Sequence, residues 1–189
     1  MELKVLDKIG RTFSVELPYF ESLEEGLDLV VPDVQPWGED LREMEFYVQP
    51  GGKPWLEIRD DENFHEAVLH FFNTGGEYLQ SVDGNVSRGK WRLLDGTNKI
   101  IIEQGNKVEL FELAFLSAFF FILKKHGNQP RKGKKKYLIM GFEPYVTGLE
   151  WRDFVEFLFN TYRRQQSTFR TFIILFLILV AIIVLFSIF

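Results

Sequence analysis

Cysteine is absent from this chain of 189 residues, and histidine occurs only three times. The chain therefore has no disulfides and no thiol nucleophile, and the absence is consistent with a reducing compartment. The glycine-rich loops that bind nucleotide phosphates and the motif that carries the serine of hydrolases are also missing. No pattern in the sequence indicates a reaction, so we expect a protein that is not an enzyme and that uses no cofactor.

The histidines do not have the spacing of a metal site. His65 and His70 are five residues apart, which places them on different faces of a helix or a strand, whereas zinc ligands must converge on one point. We expect these residues and His126 to be ordinary surface or core histidines. No metal is predicted.

The N-terminus lacks the apolar run of a secretory signal peptide, whereas the last nineteen residues, 171–189, contain no charge, glycine or proline. At about 1.5 Å per residue this run spans the roughly 30 Å of a hydrocarbon core, and only a helix satisfies its own backbone there. We predict a single transmembrane helix over 168–189. The protein would be tail-anchored, with its N-terminal domain in the cytoplasm.

The charges are distributed unevenly along the chain. Residues 1–70 carry 17 acidic and 6 basic side chains, whereas 71–189 carry 10 acidic and 16 basic ones. We expect the acidic end to face solvent and the basic end to face anionic headgroups. The residues predicted to contact anionic lipid are Lys124, Lys125, Arg131, Lys132, Lys134, Lys135, Lys136, Arg163, Arg164 and Arg170.

A solvated loop is the alternative interpretation of the basic run at 124–136. Nucleic acid is not an expected partner, because no aromatic residues interleave with these lysines and the whole protein is acidic. The three arginines before the C-terminal run also favour a cytoplasmic position for the preceding domain.

Residues 55–146 carry the pattern of an antiparallel β domain. Residues 55–59 alternate as a strand, 65–72 fit a helical turn or a strand, and a last strand ends at Pro144. Asp-Gly, Gly-Asn and related pairs, which are strong hairpin signals, separate five further apolar runs at 77–83, 86–94, 98–104, 107–116 and 119–125.

One part of this pattern is apolar on both faces. Residues 113–123 are too few to span a bilayer, so we expect two strands of a hairpin that is covered on both sides. The anchor helix, a partner protein or the other wall of a barrel would provide the cover.

The flanking segments are less regular. Residues 1–54 form an acidic segment of the same domain, in which 1–15 fit a short strand and the prolines at 18, 32 and 36 oppose a long helix. Leu27, Leu29 and Val31 alternate as an edge strand. Residues 39–48 fit a helix or a strand.

Residues 147–166 are predicted to form an amphipathic helix before the membrane span. Thr147 and Glu150 match a capping box, and apolar residues follow Trp151 at helical spacing. Asp153 and Glu156 on the polar face favour packing against the sheet over a position in the membrane interface.

The middle of the chain resembles the small lipocalin-like domains common in bacterial proteins. The resemblance covers about residues 55–140 and rests on Tyr78 and the Gly89-x-Trp91 strand, followed by short up-and-down hairpins. It implies a meander barrel or half-barrel with an interior that holds an apolar ligand, and it favours a bacterial source. Residues expected to line such an interior are Tyr78, Trp91, Phe111 and Phe121.

The predicted fold is mainly β, of the α+β class. It is an antiparallel meander or barrel-like domain with one amphipathic helix and a C-terminal transmembrane helix. We expect a single-pass protein of the bacterial inner membrane, in contact with lipid and with a membrane-protein complex that it serves as an accessory subunit or docking module. The alternative is a lipocalin-like carrier or sensor of an apolar ligand or lipid at the cytoplasmic membrane face.

Overall fold

The computed structural model of the chain describes residues 17–61, 66–127, 135–162 and 176–178. Eight strands form a closed barrel in which each strand pairs antiparallel with the next and the last pairs with the first. The predicted antiparallel meander is therefore confirmed. The strands are β1 (Trp55–Glu57), β2 (Val68–Phe72), β3 (Glu77–Val82), β4 (Asn85–Leu93), β5 (Lys99–Gln104), β6 (Lys107–Leu116), β7 (Phe120–Lys125) and β8 (Tyr137–Phe142).

The turn residues between the strands are those that tight hairpins require. Asp83 and Gly84 alone connect β3 to β4, and their φ angles are 48° and 85°. Two positive φ angles match the twist of the flanking strands and suit Asp-Gly. The hairpin signal in the sequence thus has the backbone conformation that it predicts.

Three α-helices within the described residues 17–162 accompany the barrel. Helix α1 is Leu23–Val34, α2 is the short Glu143–Val146, and α3 covers residues 151–162. Helix α3 lies within the range predicted to be helical. It begins after Thr147, whose hydroxyl donates to the Glu143 carbonyl at 2.7 Å, so the capping box is not formed.

The edge strand predicted through Leu27, Leu29 and Val31 is wrong, because these residues lie in α1. The Ser22 side chain accepts a hydrogen bond from the backbone N–H of Glu25 and caps the helix. Proline at position 32 is tolerated near the end of the helix. The residues that α1 buries follow helical spacing and are Leu23, Leu27, Val30 and Val34.

Residues 38–54 cross one end of the barrel and close it. Tyr47 is fully buried there, with its ring centroid 5.1 Å from that of Phe121. Its hydroxyl donates to the Leu41 carbonyl at 2.8 Å, and its own carbonyl accepts from Trp55 Nε1 at 3.2 Å. We call this the plugged end. The opposite end, where β6 begins at Lys107, is called the open end.

The hydrophobic core has two parts, one inside the barrel and one outside it. Outside, α1 and α3 cover the outer face of β6, β7 and β8, where Phe120 packs on Phe154 with a centroid distance of 5.3 Å. The two-sided apolarity of 113–123 is thereby explained, since the opposite barrel wall covers one face and the helices cover the other. The prediction that the amphipathic helix packs on the sheet is confirmed.

Two predictions fall largely or wholly outside the described residues. The strand expected at 1–15 is one, and the transmembrane helix at 168–189 is the other, apart from residues 176–178, which are helical and exposed. Among the described residues no helix combines the length and the apolarity that a membrane crossing needs.

Candidate functional site: a polar cavity at the open end of the barrel

A cavity of about 370 Å³ lies at the open end of the barrel. Side chains at alternate positions of a strand face the same side, and directly paired residues on neighbouring strands share a face. The register therefore turns polar residues of six strands inward at this end. Those that line the cavity are Glu57, His70, Gln80, Gln104, Lys107, Glu109 and Lys125.

The deepest polar group of the cavity is a connected set of four side chains. His70 is 2% exposed and lies between two partners, with Nδ1 2.5 Å from the Tyr78 hydroxyl and Nε2 3.1 Å from Glu57 Oε2. Arg59, which follows β1, donates from Nε and Nη2 to the two oxygens of Glu57 at 2.7 and 3.0 Å. We call these residues the Glu57–His70–Tyr78 network, with Arg59 at its outer end.

The ionisation of Glu57 depends on two opposing effects. Burial alone would raise its pKa, but the hydrogen bonds from His70 and Arg59, together with the positive charge of Arg59, outweigh burial and lower the pKa to about 2. Burial, together with the charges of Glu57 and Glu109, raises the pKa of Tyr78. At neutral pH the network therefore contains a carboxylate and a protonated phenol.

A second set of charges lies at the rim of the cavity. Glu109 accepts from Lys107 Nζ at 2.8 Å and from Lys125 Nζ at 3.1 Å. Arg59 and Lys135 also line the cavity, and Lys135 forms an ion pair with Asp61 outside it. Four basic and two acidic side chains line the cavity, so the wall carries a net positive charge at neutral pH when His70 is neutral.

The floor of the cavity is less polar than its walls. Tyr78, Ile102, Phe111 and Leu138 lie there, and Tyr78 and Phe111 are each 2% exposed. Gly89, the partner of Tyr78 on β4, leaves space for the Tyr78 ring. A Cβ at Gly89 would lie 3.1 Å from Tyr78 Cδ1 and 2.2 Å from the Glu103 carbonyl oxygen.

Of the four residues predicted to line an apolar interior, two line the cavity and two do not. All are buried inside the barrel. Tyr78 and Phe111 reach the cavity, whereas Trp91 and Phe121 pack around Tyr47 at the plugged end, with centroid distances of 5.6 and 5.1 Å. The cavity is thus confined to one half of the barrel.

The residues predicted to contact anionic lipid are described only in part. Residues 131–134 and 163–170 lie outside the described ranges. Lys124, Lys125, Lys135 and Lys136 are at the open end, and Lys136 Nζ lies 2.6 Å from Asp28 Oδ1 on α1. The acidic and basic parts of the chain therefore meet in this region, although the charge pattern predicted that they separate. Lipid contact stays a prediction.

Sequence reasoning missed the Glu57–His70–Tyr78 network. His70 is expected to be an ordinary surface or core histidine, yet it lies two residues from Val68 and two from Phe72, which are both buried. A polar residue at the same alternation as apolar core residues faces the barrel interior. This alternation with buried apolar residues could have located His70 inside the barrel from the sequence. It also applies to Glu57, which follows the buried Trp55 by two positions.

The site offers hydrogen-bonding groups and charges on the described residues that line it. Among the described residues no cluster of acidic and histidine side chains has the geometry of a metal site. Within the same residues every buried side-chain nitrogen or oxygen has a hydrogen-bond partner. The hydrogen bonds within the Glu57–His70–Tyr78 network hold its polar atoms in defined positions.

No protein-family model matches the chain, and neither a curated protein nor a solved structure matches it.

Proposed function

We propose that this protein is a non-enzymatic, lipocalin-like binding protein that holds a small amphipathic molecule at the open end of its barrel. The cavity carries this proposal. Its volume of about 370 Å³ lies within the range of small-molecule sites, which is roughly 300–1,000 Å³. The plugged end closes the barrel behind it, so a ligand has one way in.

The lining favours a ligand with two kinds of surface. Ile102, Phe111 and Leu138 on the floor offer apolar contacts, and Lys107 and Lys125 at the rim offer positive charge. A molecule with a short apolar body and an anionic group fits both. The ligand is thus more polar than the one implied by the family resemblance.

The open end lies far from the point at which the described barrel domain ends. The Tyr162 ring, in the last turn of α3, is 4.8 Å from Phe115 near the plugged end of β6. Lys107 begins the same strand, and its ten residues extend about 30 Å. We further propose that residues 168–189 anchor the chain in a membrane; the ligand then exchanges with the aqueous phase.

A docking subunit of a membrane complex is the second proposal, and the surface favours it less. Among the described residues outside 176–178, the exposed large apolar side chains belong to different elements. They are Tyr19, Leu29, Met44, Val86, Leu94, Val108 and Tyr145. Protein-binding surfaces usually join such residues into one patch.

The test is native mass spectrometry of the full-length protein, extracted in a mild detergent. We expect a bound small molecule in the wild type. Gln104 faces the cavity and its neighbour Glu103 faces outward, so Gln104→Phe should lose the bound molecule while Glu103→Phe keeps it. A wild-type protein that carries no small molecule and instead purifies with a stoichiometric protein partner would overturn the proposal in favour of the docking subunit.

A further inference from the structure

The polar atoms at the bottom of the cavity have defined donor and acceptor roles. Glu57 receives two hydrogen bonds from Arg59, at 2.7 and 3.0 Å, and its side chain is 8% exposed. A carboxylate held in this way is ionised and can only accept. The His70 nitrogen that faces it, Nε2, therefore carries the hydrogen and donates.

The role of the second His70 nitrogen follows from the first. With His70 neutral, its imidazole carries one hydrogen, so Nδ1 is the acceptor when Nε2 is the donor. Its neighbour at 2.5 Å is the hydroxyl of Tyr78, which must then donate its only hydrogen to His70. The Tyr78 oxygen retains lone pairs but has no hydrogen left to offer a ligand.

Tyr78 and its hydrogen-bond partner His70 both line the cavity, so the bond between them lies at its surface. The negative charges of Glu57 and Glu109, two further lining residues, act on the Tyr78 hydroxyl. A ligand group that can only accept a hydrogen bond is therefore unfavourable at this position, because it faces the Tyr78 lone pairs and two carboxylates. A ligand group with an N–H or O–H can donate to the Tyr78 oxygen.

We propose that, with His70 neutral, the buried end of the ligand is a hydrogen-bond donor, such as a hydroxyl or an ammonium group, and that the Tyr78 oxygen accepts from it. This inference rests on the proposed function and narrows its ligand class to an amphipathic molecule with an anionic group at the rim and a donor at the floor. Tyr78 is the residue that determines specificity, and His70, Glu57 and Arg59 are positioning residues.

Three probes of nearly the same shape test the donor requirement. They are para-hydroxyphenylpropanoate, para-methoxyphenylpropanoate and phenylpropanoate, titrated by calorimetry into the full-length protein in detergent. All three have the carboxylate and the ring, but only the first has a donor on the ring. One hydrogen bond that is lost in a buried site corresponds to about a tenfold weaker affinity, so we expect the hydroxyl probe to bind roughly tenfold more tightly than the other two.

Two variants assign the effect to Tyr78. Tyr78→Phe removes the acceptor and should make the three affinities equal. Tyr47→Phe is the matched control, since it removes a buried hydroxyl that bonds to the Leu41 carbonyl at the plugged end, and it should preserve the preference. Equal affinities in the wild type, or a methoxy probe that binds most tightly, would overturn the inference and leave the proposed function standing. Absence of binding by all three probes would count against both.

Discussion

The Nζ atom of Lys53 donates a hydrogen bond to the carbonyl oxygen of Ala118 at 2.8 Å. This bond joins the segment that plugs the barrel to the turn between β6 and β7. The same nitrogen donates to the Phe46 carbonyl at 2.5 Å and lies 4.3 Å from the centroid of the Trp55 ring. Lys53 is only 3% exposed, so hydrogen bonds from a buried amine stabilise the plugged end.

The stability of the plugged end should depend on the protonation of this amine. Burial lowers the pKa of Lys53 to about 8, whereas the amine of the unfolded chain has a pKa near its ordinary value of 10.5. A neutral amine still has two hydrogens for the two carbonyl groups. Between pH 8 and 10 the unfolded state binds the extra proton, so the wild type should gain up to about 1.4 kcal/mol of unfolding free energy per pH unit from this residue.

Urea denaturation of the full-length wild type and of Lys53→Met, in detergent at pH 7, 8, 9 and 10, measures this contribution. Methionine has no titrating group, so the difference in unfolding free energy between the two proteins should shift in favour of the wild type as the pH rises. A difference that stays constant from pH 8 to 10 would show that Lys53 keeps its proton in the folded state.

Glu57 should make the protein sensitive to acid. Its pKa in the folded state is about 2, against an ordinary value of 4.5, so its contribution to stability is complete above pH 4.5. As the pH falls from 4.5 towards 2, the unfolded state takes up the proton first and up to about 1.4 kcal/mol is lost per pH unit. The Glu57→Gln variant has no carboxyl at this position, so its unfolding free energy lacks this dependence on pH.

The measurement compares urea unfolding of the wild type and Glu57→Gln at pH 6, 4 and 3. The wild type should be the more stable protein at pH 6, because its carboxylate accepts from both Arg59 and His70. We expect this advantage to shrink steadily on acidification. The same advantage at pH 3 as at pH 6 would contradict the assignment of an ionised Glu57 to the network.

A methyl group at Gly89 should destabilise the barrel. The added Cβ would lie 2.2 Å from the Glu103 carbonyl oxygen on β5, and backbone of a paired strand has little freedom to move. We expect Gly89→Ala to lower the unfolding free energy by about 1–3 kcal/mol, the usual range for overpacking. Lys90→Ala, at the exposed neighbouring position, is the control and should change it by less than about 0.5 kcal/mol. Similar losses in both variants would argue against the close strand contact.

Local patterns account for the parts of the fold that the sequence predicted. Asp83 and Gly84 predict a hairpin because Asp tolerates positive φ and Gly, which has no Cβ, adopts it freely; this requirement acts within four residues. The same kind of local argument failed at α1. There the alternation of Leu27, Leu29 and Val31 and the presence of Pro32 favour a strand in the sequence. The buried residues nevertheless follow helical spacing, and packing against the barrel stabilises the helix.

Long-range contacts account for what could not be predicted. Trp55 pairs with Phe142 to close the barrel, and no local pattern connects two strands more than eighty residues apart. The segment 38–54 closes the plugged end through the buried Tyr47. One aromatic residue in an irregular segment does not indicate from the sequence that it is buried. The alternation along β2 indicates that His70 faces the barrel interior, but it does not identify the partners of His70. Those partners, Glu57 and Tyr78, are brought together only when β1 and β3 pair with β2 in the barrel.

Helix α3 should contribute strongly to the stability of the barrel because it covers strands whose outer faces are apolar. Phe154 is fully buried, and its ring centroid lies 5.3 Å from that of Phe120. Phe154→Ala should lower the unfolding free energy by about 3–5 kcal/mol, through lost apolar contact and the cavity left behind. Asp153→Ala, on the exposed face of the same helix, is the matched control and should have little effect. Urea denaturation of the full-length proteins in detergent measures both values. A loss below about 1 kcal/mol for Phe154→Ala would mean that α3 separates from the barrel without cost, and that the outer faces of β6 and β7 are then available to another partner.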